Sequence, residues 1–283
     1  MQWQDRVAVI ATMHQKEQVI APILQKELGM RVIVPKNFNT DIFGTFTRDI
    51  QRTGNQIEAA RLKAEKILEQ TGESIAIASE GSFAPHPAFP YVTSNKEIII
   101  FIDKENDLEI IGEEFSIDTN HNHLVVQTLE QALKFAKKVG FPQHGLIAMS
   151  EESPKDSSHI FKGIITEKRL VEAINYILTK SSTGTVHLET DMRAMFNPTR
   201  MKNIAKATQN LVKKINSCCP KCHTPGFEIT QRIEGLPCEL CYSPTSLTCT
   251  VIYECKKCGY SEEKLFPDGK EFAEASLCMY CNP

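Results

Sequence analysis

The chain has 283 residues, 41% of them hydrophobic, 24% charged and 7% aromatic, and a net charge of −3. That is globular composition with enough length for a core, and it excludes a disordered, collagen-like or coiled-coil protein. The longest early apolar run, Val7 to Met13, is far short of a membrane span and has no cleavage pattern behind it, so a soluble, unexported, cytoplasmic protein without membrane contact is expected.

From the amino terminus, Arg6–Met13 reads as a buried strand. Lys16–Leu28 reads as a helix with apolar residues at Val19, Ile20, Ile23, Leu24 and Leu28, stopped by Gly29. Arg31–Pro35 is the second strand. Gly54 precedes a long helix through Ile57, Ala60, Leu62, Ala64, Ile67 and Leu68, closed by Gly72, and Ser74–Ser79 is the third strand. Lys96–Asp103 and Leu108–Phe115 form a hairpin around Asn106 and Asp107. A helix over Leu129–Val139, strands near Leu146 and Ile164, a helix over Glu167–Leu178 and a strand over Thr185–Glu189 follow. This alternation predicts an α/β domain over 1–216, a three-layer mixed sheet with flanking helices.

Asn197 is a good N-cap and Pro198 suits the first helical position, so a helix starts there and continues through Met201, Ile204, Leu211, Val212 and Ile215. Between Met192 and Phe227 there is no acidic residue but seven basic ones, Arg193 and Arg200 among them. With the free N–H groups of the helix start, these two arginines make an anion site, or else simply decorate a wet basic face.

All ten cysteines lie beyond residue 217, which marks a second domain over 217–283. Eight form the pairs Cys219/Cys222, Cys238/Cys241, Cys255/Cys258 and Cys278/Cys281. Two residues between thiolates let both sulfurs reach one tetrahedral ion, so four pairs predict two structural zinc ions in a double zinc-ribbon domain. Joining neighbouring pairs keeps the gaps in the usual ribbon range, and a crossed pairing stays open. Thr248–Glu254 and Tyr260–Phe266 flank the third pair of cysteines as strand, knuckle, strand. Cys218 and Cys249, left over, read as small buried apolar side chains, and His223 as a polar loop residue. This tail carries the whole net charge, six basic against nine acidic residues. Eight thiolates and two Zn²⁺ make it more acidic still, so protein contact suits it better than nucleic acid.

Ligands of α/β sheets collect beyond the carboxyl ends of strands. Thr12, His14 and Lys16 follow the first strand, Lys36 and Asn37 the second, Glu80, Ser82 and His86 the third, and Glu189, Asp191 and Arg193 the last. Glu189 and Asp191, two apart, can share a Mg²⁺ that also touches a phosphate, or can be an ordinary solvated strand end. The segment 80–87, an acid after an apolar strand followed by a stiff proline-flanked loop, has little packing purpose. His121 and His123 read as an exposed loop.

The segments 78–87, 189–194 and 197–201, with the terminal knuckles ending at 281–283, resemble a bacterial family of unknown function over nearly the whole chain, which implies no activity. Residues 6–105 more weakly resemble the house-cleaning nucleoside triphosphate pyrophosphatases of the inosine triphosphatase type. Their Thr-x-Asn turn, Thr-Gly helix with a glutamate and a phosphate-binding lysine, and acidic strand end correspond in order to Thr12 to His14, Thr53 and Gly54 with Glu58 and Lys63, and Ser79 to Ser82. His14 stands where that family has asparagine, and the family's Ser-His-Arg segment is missing.

That resemblance implies a Mg²⁺-dependent hydrolase or binder of a nucleotide or other phosphorylated small molecule. Glu80 is the expected metal ligand or base, with Glu58, Glu189 and Asp191 as further magnesium ligands. Thr12, His14, Lys63, Ser82, Arg193 and Arg200 are expected to bind the substrate. The rival expectation is a non-catalytic adaptor, its ribbons binding a protein and its basic helix touching RNA.

Overall fold

Strand β1 (Val7–Ala11) lies between β2 (Arg31–Ile33) and β3 (Ile75–Pro85) and is parallel to both. This computed structural model describes residues 3–40, 54–150 and 160–282 and divides into two units, Met1–Val212 and Lys213–Pro283. Strands β4 (Thr93–Asp103) and β5 (Leu108–Ser116) extend the first sheet antiparallel, in the order β2-β1-β3-β4-β5.

Helix α1 (Glu17–Leu28) connects β1 to β2, and α2 (Gln56–Thr71) leads back past β1 to β3. Right-handed crossovers running in opposite directions put the two helices on opposite faces of the sheet. Side-chain alternation agrees: Ala76 and Ala78 of β3 and Ile98, Ile100 and Ile102 of β4 share a buried cluster with Ala60, Ala64, Ile67 and Leu68 of α2. Asn55 caps α2 in a reciprocal arrangement with Glu58, and Gly72 ends it at φ +72°.

The expected third strand ended at Ser79, with a proline-flanked loop beyond it. In fact β3 runs to Pro85, because β4 pairs with it along its whole length, from Ile75 opposite Asp103 to Pro85 opposite Thr93. The ladder satisfies the backbone of residues 80–85, which the sequence alone left without partners.

The single three-layer sheet expected over 1–216 is corrected to two sheets. A second, fully antiparallel sheet has the order β6-β9-β7-β8, made of β6 (His123–Val126), β7 (Leu146–Met149), β8 (Ile160–Ile164) and β9 (Val186–Thr190). Helices α3 (Leu129–Lys138) and α4 (Glu167–Lys180) cover it with a core of its own, including Phe135, Leu146, Leu170, Ile174, Val186 and Leu188. Strand β6 was not anticipated, since three of its four residues are exposed. It places His123, expected in a loop, opposite Glu189.

Helix α5 begins at Pro198 as the capping signal predicts and runs to Asn216. Gly112 of β5 admits its close approach: a Cβ there would lie 2.5 Å from Ala207 O and Leu211 Cβ. The second unit holds a three-stranded antiparallel sheet of β10 (Glu228–Glu234), β11 (Thr248–Glu254) and β12 (Ser261–Leu265). Among the described residues no helix is long and apolar enough to cross a membrane.

Candidate functional sites: two four-cysteine groups and a buried charge cluster

Each Cys-x-x-Cys pair folds as a tight knuckle in which the residue after the second cysteine donates its N–H to the carbonyl of the first. The distances are 2.9 Å for His223 to Cys219, 3.0 Å for Tyr242 to Cys238, 2.9 Å for Gly259 to Cys255 and 2.9 Å for Asn282 to Cys278. His223 and Tyr242 take positive φ there, 58° and 62°. His223 is thus the turning residue of its knuckle.

The pairing is crossed, not between neighbours as the spacing favoured. Cys219 and Cys222 gather with Cys255 and Cys258, and Cys238 and Cys241 with Cys278 and Cys281, all sulfurs of a group within 4.8 Å of one another. The β11–β12 hairpin decides this, since it carries the third knuckle at its turn. Phe227 stacks on Tyr253 of that hairpin at 5.4 Å, and with Cys219 and Cys255 it forms a small core.

The fit to zinc follows from the sulfur separations: 3.7 Å for Cys219–Cys258, 3.5 Å for Cys222–Cys255, 3.9 Å for Cys238–Cys281 and 3.7 Å for Cys241–Cys278. A tetrahedron with Zn–S near 2.3 Å has edges of about 3.8 Å. Crowded thiols resist joint ionisation without a cation, and the neighbouring Cys241, with burial and Cys238, pushes Cys281 up to about 12. Both groups can hold a zinc ion. Cys218, expected buried, is exposed, and Cys249 is half-buried.

In the first unit, five charged side chains from five parts of the chain converge beside the carboxyl end of β1 and the middle of β3. They are Lys16 before α1, Lys63 of α2, Glu80 of β3, Glu97 of β4 and Arg200 of α5, each more than nine-tenths buried. Lys63 pairs with Glu80 on the α2 face. On the other face Arg200 Nε donates to Glu97 Oε1 at 2.8 Å, and Asn95 Nδ2 donates to the same oxygen at 2.9 Å. Lys16 Nζ donates to Ser79 Oγ at 2.9 Å and to Ser79 O at 3.3 Å. Burial, reinforced by Arg200 and Lys63 and opposed by Glu80 and Glu97, lowers Lys16 to about 7. Gly81 makes room, because a Cβ there would lie 2.4 Å from both Arg200 Nη2 and Glu97 Oε1.

The expected ligand-binding residues divide between two places. Thr12 is buried at the end of β1 and accepts the N–H of half-buried His14 at 3.3 Å. Ser82 Oγ bonds Gln56 Oε1 at 3.3 Å, and Gln56 Nε2 reaches the carbonyls of Glu80 and Lys96, both at 2.8 Å. These surround the cluster. Arg193 does not join Arg200: it pairs with Asp191, Nη2 to Oδ2 at 2.6 Å, and lies over the Phe196 ring. The anion site expected at the start of α5 is filled by its own cap, Asn197 Oδ1 accepting the Arg200 N–H at 2.9 Å.

The expected magnesium ligands are likewise dispersed. Glu58 Oε2 accepts the Asn55 N–H at 2.8 Å and completes the α2 cap. Glu80 is paired with Lys63, and Glu189 Oε2 lies 3.5 Å from His187 Nε2. Fully buried Asp191 accepts the Gly163 N–H at 3.0 Å besides holding Arg193. Glu97 was missed because nothing in a lysine and glutamate preceding five apolar residues marks one of them as inward. Its alternation with Ile99 and Phe101, opposite to Ile98, was the available signal.

A family model described as a domain of unknown function (DUF6671) matches residues 63–283. No curated protein matches the chain. Among solved structures, the protein VC0702 from Vibrio cholerae is similar at 7% identity and a TM-score of 0.32, covering 74% of this chain and 94% of that one.

Proposed function

This chain belongs to the DUF6671 family, and we propose that its first unit binds a small phosphate-bearing molecule at Lys16, Lys63 and Arg200 while two zinc ions hold its second unit together. The observation that carries this is the environment of Lys16, a buried amine whose hydrogen bonds go to the neutral groups of Ser79. Among the described residues Lys63, Arg200, Glu80 and Glu97 gather beside it. Burial leaves Lys16 with a proton held only weakly near pH 7, so an arriving phosphate oxygen brings a negative charge that restores the ammonium ion. Thr12 and His14 add hydrogen-bonding groups beyond the end of β1, where α/β sheets collect ligands, and Ser82 adds one from within β3.

Hydrolysis has less support than binding. Glu80, the expected base, is committed to Lys63, and the carboxylates that would share a magnesium ion serve other partners. In the second unit, four thiolates complete each tetrahedron and leave no position for water, which makes zinc there a fold-holding ion.

Calorimetry and thermal unfolding of the full chain with nucleotides, sugar phosphates and inorganic phosphate test the binding site. At least one phosphorylated ligand is expected to raise Tm, to bind with net proton uptake near neutral pH, and to lose affinity in Lys16→Met with zinc content unchanged. No shift with any ligand would sink it and favour an adaptor. That second reading is favoured by Leu240, Tyr242, Met279 and Tyr280, large apolar side chains exposed on the knuckles of one four-cysteine group.

A further inference from the structure

A cavity of about 520 Å³ opens at the edge of the four-stranded sheet, between β6, the end of β7 at Ser150 and the turn from α4 to β9. His187 of β9 lines it, is only 4% exposed, and has no hydrogen-bond partner at either ring nitrogen. The nearest acid is Glu189, whose Oε2 is 3.5 Å from Nε2. The exposed ring of His123 stacks on His187 at 5.6 Å and 23°. Buried imidazoles in folded proteins ordinarily find partners for their nitrogens, so this wall is incomplete as it stands.

A second part of the lining is a chain of hydroxyls. Ser181 Oγ and Thr183 Oγ1 are 3.0 Å apart, and Thr183 Oγ1 and Thr185 Oγ1 2.6 Å. Each hydroxyl both donates and accepts, and keeps capacity for a further bond. Among the described residues the lining includes Lys180 and no carboxylate. Lys180 lies in the last turn of α4, where the free carbonyls of the helix end carry partial negative charge that offsets the ammonium. The cavity is therefore mixed in character, with hydroxyls and imidazoles beside Val125 and Ile177, and within the usual size range of small-molecule sites.

We propose that this cavity binds a small molecule rich in hydroxyl groups, of the class of a sugar or a nucleoside, between the stacked histidines and the hydroxyls of the 181–185 turn. Ligand hydroxyls meet the imidazole nitrogens and the Ser and Thr oxygens, and the exposed His123 face offers a flat surface for a sugar ring or a base. The site is separate from the cluster around Lys16 and does not depend on what binds there.

The test uses the full chain with isotope-labelled histidine, titrated with ribose, glucose, adenosine and, separately, inorganic phosphate. Saturable shifts of the His123 and His187 ring resonances are expected with a sugar or the nucleoside. Thr183→Val, on an exposed position, should weaken that binding about tenfold, the loss of one well-placed hydrogen bond, while Lys16→Met leaves it unchanged. Shifts with phosphate alone would overturn the ligand class. No shift with any sugar or nucleoside, or shifts indifferent to Thr183→Val, would overturn the site.

Discussion

Arg200 of α5 and Glu97 of β4, 103 residues apart, meet in an ion pair with the side chains 1% and 0% exposed. Arg200 also donates to Met192 O, just beyond β9, so one guanidinium joins the two sheets of the first unit. Removing one partner takes the directly bonded opposite charge from a buried ion. Arg200→Ala or Glu97→Ala should cost about 3–5 kcal/mol of stability, measured by denaturant unfolding. Replacing both with apolar residues should cost less than the two single losses together.

Gly81→Ala should destabilise through the same pair, since the new methyl group would occupy the space of Arg200 Nη2 and Glu97 Oε1. A cost of about 1–3 kcal/mol is expected. A neutral result in unfolding experiments would mean that the pair can shift without loss.

Lys16 gives the protein a defined pH response. Its folded value, about 7, lies below the ordinary 10.5 because burial disfavours the ammonium. Between these values the unfolded chain binds more protons than the folded one, so this lysine makes stability rise with pH from about 7 to about 10.5 and stay level beyond. Below pH 7 its penalty is present in full. Lys16→Met should therefore be more stable than the natural chain at pH 6, and its advantage should shrink by up to about 1.4 kcal/mol per pH unit as pH rises. A stability difference independent of pH would refute the burial of a titrating amine.

Metal analysis should find two zinc ions per chain, and the crossed pairing makes a specific forecast. Cys222→Ser should release the ion shared with Cys255 and Cys258, leaving the group of Cys238, Cys241, Cys278 and Cys281 loaded. Neighbour pairing would instead couple Cys222 to Cys238. Cross-protection of individual thiols from alkylation, read by mass spectrometry, distinguishes the two. Chelation of both ions should unfold the second unit, because the free energy of metal binding is then lost from folding.

Asp191 holds Arg193 and the Gly163 N–H together between β9 and β8. Asp191→Ala should destabilise the first unit by several kcal/mol, as loss of a buried charge partner does, and leave the zinc content unchanged. Loss of zinc along with stability would show that the second unit depends on this corner.

Local signals in the chain were sufficient for local structure. Asn197 and Pro198 mark the start of α5, Gly29 and Gly72 the ends of α1 and α2, and Asn106 and Asp107 the turn between β4 and β5. The knuckles were equally legible, since a Cys-x-x-Cys turn needs only its four residues and the one after them to form. The extent of β3 was not, because residues 80–85 become strand only when β4 lies alongside.

By itself, the sequence determined the elements whose stabilising bonds are short in range: helix caps, hairpin turns, and the eight cysteines ready to hold two ions. Tertiary structure alone decided which elements meet. It split the α/β region into two sheets, set the third knuckle beside the first, and separated Arg193 from Arg200 although they are seven positions apart. It also brought Lys16 and Arg200, at opposite ends of the first unit's sequence, into one buried cluster. The physical reason is that periodicity and capping are energies between near neighbours, whereas the pairing of strands and the burial of opposite charges are energies between surfaces that the chain must fold to bring together.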